Sequence, residues 1–362
     1  MVGGAGQAQV VWDAWEVITG STPAEAIGAV RCVEYHTAGE PFRIVTSPEL
    51  TLAGETVAER RVDAIADPGV NAIRRLLCHE PRGHADMYGC FLVPPDNAGA
   101  SLGVLFWHKD GFSTACGHGT IALGVWAAES GLVETDPEGE SDICIDVPSG
   151  RVTARVRRVR GAIRSVIFRS VPSYVIATDV DVPTSRGNAR ATLSFGGAIY
   201  ATVCAQTLGL SVTPDRLGDL ITAGREIKRD IERRELAQHP SDPRLSGLYG
   251  TIFYDDLGSP DGTLHQRNVA IFADGEVDRS PCGSGTAARV AQLVAERRLA
   301  SGDELVHSSV IGTQFRARAV EHTEVDGIPA IIPEVEGMAY RTGDHRFVLD
   351  PDDPLGPGFV LR

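Results

Sequence analysis

The chain has 362 residues, 43% of them hydrophobic and 23% charged, with a formal net charge of −14; this length fits one large or two medium domains with ample core. No apolar run approaches the roughly 18 residues a membrane-spanning helix needs. The acidic balance, with no concentrated basic patch, argues against nucleic acid or anionic lipid as a partner.

The first basic residue is Arg31, so a basic signal start and a transit peptide are both lacking, and a cytoplasmic location is expected. Residues 1–28, small and polar apart from Val10, Val11, Trp12 and Trp15, read as an N-terminal extension. From Arg31 onward, short β-rich stretches at Ile44–Val45, Phe91–Val93, Leu102–Trp107, Ile143–Val147 and Val152–Val156 alternate with turn signals such as Pro94-Pro95-Asp96-Asn97. Between them, Gly119 to Glu129 is rich in Ala and Leu and is followed by Gly131, which predicts a helix. Its polar residues sit at its ends, so burial on all sides is expected.

The second half repeats this plan. Strands are expected at Ile163–Ser170, Thr192–Cys204 and Asn268–Ala273, a polar helix over Asp215–Glu235, and a second helix from about Gly285 to Leu299, closed by Gly302. Pro172, Pro183 and Gly187 cluster between the halves. The expected division is therefore a first domain over 29–180, completed by a C-terminal strand in 335–362, and a second over 181–334.

Seven cysteines are scattered without CxxC pairs, which argues for free thiols rather than a disulfide framework or a zinc ribbon. Cys78 and His79 are adjacent, which suits two ligands of one metal poorly, and no H-E-x-x-H occurs, so no metal is expected. Lys109 and Lys228 are the only lysines; the first sits in a turn and the second in a charged, helix-like run. Neither suits a Schiff base with pyridoxal phosphate, so amino-acid chemistry here is expected to need no cofactor.

The most informative feature is internal. Cys116-Gly117-His118-Gly119-Thr120-Ile121-Ala122 matches Cys282-Gly283-Ser284-Gly285-Thr286-Ala287-Ala288 at five of seven positions, and each copy opens one of the two helices. A helix N-terminus offers unpaired N–H groups and partial positive charge, which favours a thiolate and can hold a carboxylate. Two such ends across a cleft would place a thiol on either face of one α-carbon. That is the geometry for inversion: one thiolate takes the proton and the opposing thiol returns another. The first turn also satisfies G-x-G-x-x-A, but the acid that a dinucleotide site needs about 20 residues on falls in a turn-like stretch, Glu134 to Glu140. Pairing Cys116 with His118 as in a cysteine hydrolase is disfavoured, because residues two apart at a helix start are expected to diverge.

With these turns in view, the chain resembles the proline racemase family, which includes proline racemases, hydroxyproline 2-epimerases and trans-3-hydroxyproline dehydratases. The resemblance runs through His36-Thr37-Ala38-Gly39-Glu40-Pro41, Glu80-Pro81-Arg82-Gly83-His84-Ala85-Asp86-Met87, the first cysteine turn, Ser194-Phe195-Gly196-Gly197, Asp278-Arg279-Ser280-Pro281-Cys282-Gly283 and Asp352-Asp353-Pro354-Leu355. It implies an α+β fold like diaminopimelate epimerase: two pseudo-symmetric domains, each a mostly antiparallel sheet wrapped around a central helix, with the site between them. It also implies Cys116 and Cys282 as catalytic bases, main-chain binding of a carboxylate by Gly117, His118, Gly283 and Ser284, and Asp278 on the ring nitrogen. His36 and His84 are either site or supporting residues. Expected partners are a small-molecule substrate, proline or a hydroxyproline, and a second copy of the chain in a homodimer.

Ser284 stands where racemases and 4-hydroxyproline epimerases usually have threonine. With Leu248-Tyr249-Gly250-Thr251 and the Asp353-Pro354-Leu355 tail, it looks more like the 3-hydroxyproline dehydratase branch, which typically has threonine in place of Cys282. The first expectation is a two-base racemase or 2-epimerase. A trans-3-hydroxy-L-proline dehydratase giving a cyclic imine is the alternative, and a non-catalytic amino-acid-binding protein the second.

Overall fold

The structure, a computed structural model, describes residues 17–19, 29–356 and 358–361. Of the extension expected over 1–28, only the short strand Val17–Thr19 is described, parallel to Glu49–Thr51; the rest lies outside the described residues. Five α-helices occur among those residues: α1 (Val57–Ala66), α2 (Pro68–Cys78), α3 (Gly117–Glu129), α4 (Leu217–Arg233) and α5 (Gly283–Ala295).

The sequence reading missed α1 and α2, whose signals lie in their caps rather than in an apolar stripe. Thr56 accepts from the Glu59 N–H while Glu59 accepts from the Thr56 N–H, a capping box. Asp67 accepts from Gly69 and Val70, and Pro68 takes the first helical position.

Strand pairing follows the same order in both halves. In the first, Ala29–Thr37 pairs antiparallel with Glu40–Ser47, which runs parallel to Tyr88–Val93. That strand pairs antiparallel with Leu102–His108, which runs parallel to Gly139–Val147. Gly150–Val159 and Ala162–Arg169 then add antiparallel. In the second, Gly187–Phe195, Ile199–Cys204, Leu248–Gly258, Leu264–Phe272, Leu305–Ser309, Gln314–Val325 and Ile328–Gly337 repeat the sequence of antiparallel, parallel, antiparallel, parallel and two antiparallel pairings. Parallel neighbours need a crossover, and the crossovers carry the helices. These are α1–α2 and then α3 in the first half, and α4 and then α5 in the second.

Each sheet closes around one helix. Ala339–Val348 returns to pair with Ala29–Thr37, while the preceding strand, Ile328–Gly337, pairs with Ala162–Arg169. Ser173–Thr184 closes the second sheet by pairing with Gly187–Phe195 and, at Ser173 and Tyr174, with Ile328–Gly337. The division expected between 180 and 181 falls within that strand. The fold is thus α+β, with two pseudo-symmetric halves of mixed, largely antiparallel sheet.

Helix α3 is buried from Gly117 to Ala128 and α5 from Gly283 to Leu293. Both begin two residues earlier than predicted, so the Cys-Gly turns belong to the helix starts. Helix α5 stops short of the predicted Leu299, where Arg297 turns left-handed with φ 58°. The single strand expected over Thr192–Cys204 is split at Gly196-Gly197. Gly197 has φ 91°, and a Cβ on Gly196 would lie 2.4 Å from the Ser284 carbonyl oxygen. This hairpin therefore presses its backbone onto the start of α5.

Leu123 is fully buried in the first half's core. Leu123→Ala is expected to destabilise the protein by about 2–5 kcal/mol, through lost transfer energy and the cavity left behind, measured by urea unfolding.

Candidate active site

Because each helix runs inside its own closed sheet, the two N-termini meet where the halves abut. A Cβ on Gly117 would lie 2.6 Å from the Gly283 Cα, and one on Gly283 would lie 2.6 Å from the Gly117 Cα. Glycine is the only side chain this approach admits. The repeat read from the sequence is thus a contact in space, with Cys116 and Cys282 at the two helix caps.

Cys116 caps α3 from an extended conformation (φ −155°, ψ 105°), which folds its sulfur back over the first turn. Its Sγ accepts from the Gly119 N–H at 3.2 Å and lies 3.4 Å from His118 Nδ1. The expectation that Cys116 and His118 diverge is therefore wrong: a cap residue does not follow the helical side-chain directions on which it rested. The contact is not a thiolate–imidazolium pair, because burial pushes His118 down to about 3 and keeps the ring neutral.

Cys282 caps α5 differently, at φ 62° and ψ 102°, a left-handed conformation that costs a non-glycine residue about 1–3 kcal/mol. Hydrogen bonds on both sides hold it there. Its N–H donates to Ser280 Oγ at 3.0 Å, and the preceding Pro281 carbonyl accepts from Asn268 Nδ2 at 2.7 Å and Thr286 Oγ1 at 2.9 Å. Its Sγ lies 3.7 Å from the Tyr200 hydroxyl.

Burial pushes both thiols well above their ordinary range. The Gly119 N–H pulls Cys116 down, and the Tyr200 hydroxyl and Gly285 N–H pull Cys282 down, while charge on Asp278 raises both. Asp278 is itself raised to about 6 by burial, against hydrogen bonds from the Ser280 N–H and hydroxyl. Its turn is gripped from the first half. Asp86 accepts from the Val277 N–H at 3.1 Å and from the Arg279 guanidinium at 2.8 Å, and Glu40 accepts from the Arg279 N–H at 2.7 Å.

A small cavity of about 10 Å³ lies between these groups, lined by Cys116, His118, Asp278, Cys282 and Ser284 together with Tyr88, Tyr200, Tyr249 and Phe272. That is room for about one water molecule, so a ring-sized ligand requires the walls to part. All seven candidate site residues are gathered here, Gly117 and Gly283 through the helix contact. The aromatic wall escaped the sequence reading, because nothing local marks Tyr88, Tyr200 or Phe272, and Tyr249 stood out only as part of Leu248-Tyr249-Gly250-Thr251. Tyr249 donates to Tyr88 at 3.2 Å, and Tyr88 bonds Ser113. His36 and His84 accept from Gly39 and Asp86 N–H groups in their own turns and do not line the cavity.

His108, Asp110 and Glu276 bring possible ligand atoms within 4.8 Å of one another. Lys109 already places its ammonium 2.8 Å from Asp110 and 3.9 Å from Glu276. The turn that carries Lys109 was expected, but its burial was not.

Residues 32–360 match the family described as Proline racemase. The chain is 42% identical over 329 residues to a trans-3-hydroxy-L-proline dehydratase from Bacillus cereus, covering 91% of this chain and 97% of the relative. It is 43% identical over 332 residues to a 3-hydroxyproline 2-epimerase from Burkholderia multivorans, with the same two coverages. A solved hydroxyproline epimerase from Agrobacterium vitis, with trans-4-hydroxy-L-proline bound, superimposes with a TM-score of 0.85 at 32% identity, covering 93% of this chain and 96% of that one.

Gly283→Ala is expected to force the helix ends apart and to destabilise the fold by about 1–3 kcal/mol. In the same variant, the alkylation rates of Cys116 and Cys282 should change together, as followed by peptide mass spectrometry.

Proposed function

The chain belongs to the proline racemase family of enzymes, and from that premise we propose that it is a two-base racemase or 2-epimerase of proline or a hydroxyproline, with a 3-hydroxyproline the first candidate. The observation that carries this reading is the pair of thiols on two helix ends in contact, each beside the same small cavity. A single-base reaction has no use for the second.

In the proposed reaction the substrate carboxylate lies on the N–H groups of Gly117, His118, Gly283 and Ser284, and its ring ammonium on Asp278. One cysteine, as thiolate, removes the α-proton. The C–H electron pair spreads into the carboxylate, where the N–H groups and the positive ends of α3 and α5 meet the developing charge. The opposing thiol then delivers its own proton to the other face. The ring inverts at Cα, and the two cysteines exchange protonation states. Positioned acid–base groups contribute about 10²- to 10⁴-fold, and reclosure of the walls around the bound ring would exclude water and strengthen every charge interaction within the site.

Dehydration of trans-3-hydroxy-L-proline is the second reading, supported by the name of the Bacillus cereus relative. In that substrate the α-hydrogen and the 3-hydroxyl share one ring face. A single thiolate, Cys116 in this reading, removes the α-proton; the carbanion then expels hydroxide from C3 on the same face, where the Cys116 thiol returns the proton to give water, and the enamine product tautomerises to a cyclic imine.

Incubation in D₂O with L-proline, trans-4-hydroxy-L-proline and trans-3-hydroxy-L-proline, followed by chiral chromatography, separates the two. Deuterium at an inverted Cα is the expected result, and imine from the 3-hydroxy substrate alone overturns the two-base reading. Cys282→Ser is expected to lower inversion by at least about 10²-fold.

The rise of Asp278 to about 6 has a definite sign. Below that pH the carboxyl is neutral and cannot hold the ammonium, so kcat/KM should fall on the acid side with a midpoint near 6. Asp278→Asn should lose this limb and lower kcat/KM about 10²- to 10³-fold, as expected when one partner of a buried charge pair is removed.

A further inference from the structure

Each thiol has a helix-end N–H beside it, Gly119 for Cys116 and Gly285 for Cys282. Each also has a second polar neighbour, and here the two turns differ. At Cys116 it is the ring of His118, third in its Cys-Gly-His-Gly turn. The matching position in the other turn is Ser284, which has no ring to offer. Ser284 Oγ instead lies 2.7 Å from the hydroxyl of Tyr200, and that same hydroxyl reaches Cys282 Sγ at 3.7 Å. Tyr200 is fully buried on the strand Ile199–Cys204 and packs edge-on against Tyr249, with ring centroids 5.6 Å apart. Ser284 and Tyr200 together thus stand where His118 stands alone.

We infer that Tyr200 is a positioning residue for Cys282, the counterpart of His118 at Cys116, its hydroxyl accepting from the thiol and donating to the thiolate. The inference rests on the proposed two-thiol reading. A group that is acid in one direction and base in the other needs a neighbour that can bond it in both states, even though the charge-assisted bond to the thiolate is the stronger. A hydroxyl does this by rotation, with no change of charge, and neutral imidazole does it with one donor and one acceptor nitrogen. Tyr200 stays neutral throughout, since burial and charge on Cys282 push it well above the ordinary phenol range. Ser284 takes the complementary part, accepting from Tyr200 while the thiol donates to it, and donating once Tyr200 turns to the thiolate.

The other titratable groups facing Cys282 are Asp278 on its own turn, Cys116 and His118 on the opposite turn, and Tyr88 and Tyr249 from the strands. Tyr200→Phe leaves all of them in place. In that variant the pH profile of Cys282 alkylation by iodoacetamide, read by peptide mass spectrometry, is expected to move up by about 0.5–1 pH unit, with the Cys116 profile unmoved. Inversion should slow about tenfold, while Tyr200→His, which restores a neutral donor and acceptor, should recover part of it. An unmoved Cys282 profile, or equal movement of both thiols, overturns the assignment. In the unsubstituted protein, the S–H Raman band that disappears in Cys282→Ser should lie at the lower frequency of a hydrogen-bonded thiol; a free-thiol position overturns the inference without any Tyr200 variant. Alkylation and the Raman band need no turnover, so absence of inversion in the unsubstituted enzyme would count against the proposed function and not against the Tyr200 contact.

Discussion

The site depends on one steric constraint, the meeting of two helix N-termini at Gly117 and Gly283 with no room for a Cβ on either. Like ends of two macrodipoles repel, and each end carries N–H groups that its own helix cannot satisfy. Neither helix would choose this arrangement alone. It is imposed by the sheets, each of which closes around its helix and leaves only the N-terminal end facing the other half. The result is a fixed region of positive potential suited to a carboxylate, and better suited to a carboxylate that gains charge as its α-carbon is deprotonated. Because each helix end fixes its own donors before any ligand arrives, little reorganisation within either end is needed when that charge appears.

The second constraint concerns Cys282, whose left-handed backbone has to be held. The hold comes from both halves. Thr286 and Asn268 fix the Pro281 carbonyl from within the second half, and Thr286 is itself 2.9 Å from buried His307. Glu40 and Asp86 grip Val277 and Arg279 from the first half, across more than 190 residues of sequence. Strain at one residue is thus balanced by bonds on either side of it, and the same bonds fix the Asp278 carboxyl relative to the thiol. The Glu40 carboxyl, pushed up by full burial and by charge on Asp278, links the protonation of this grip to that of the site.

Much of this was legible in the sequence, for identifiable reasons. The cysteine turns repeat because both halves need the same close approach at a helix start, so a match at five of seven positions carried the pseudo-symmetry and the core of the site. Helix α3 was visible because its burial leaves an apolar run from Ile121 to Ala128, and α5 because it opens on the second copy of the cysteine turn and is followed by Gly302. Helices α1 and α2 were not, since their signals are single capping residues, Thr56 with Glu59 and Asp67 with Pro68. Tyr88, Tyr200 and Phe272 were invisible for a different reason. Each lies on a strand that reads as ordinary core, and only sheet closure turns its side chain toward the thiols. The proximity of His118 to Cys116 was misread because the cap's extended backbone, and not helical spacing, decides where the sulfur points.

Pseudo-symmetry in the backbone coexists with asymmetry around the sulfurs, and that asymmetry bears on the choice between inversion and elimination. In trans-3-hydroxy-L-proline the α-hydrogen and the hydroxyl lie on one face, so the thiolate that starts either reaction is the same. The fate of the carbanion is then decided on the opposite face. If a protonated thiol stands there, the carbanion can be trapped as the inverted centre; without one, loss of hydroxide is the remaining forward path. A threonine in place of Cys282 would remove the trap outright. With Cys282 present, the outcome would turn on how readily its proton is delivered, and on the two-thiol reading proposed above that would depend on Tyr200, which bonds Ser284 and lies 3.7 Å from the sulfur. On that reading the choice between the two reactions in this chain would depend on the Tyr200 hydroxyl beside Cys282, while the helix ends and Asp278 would serve either reaction without change.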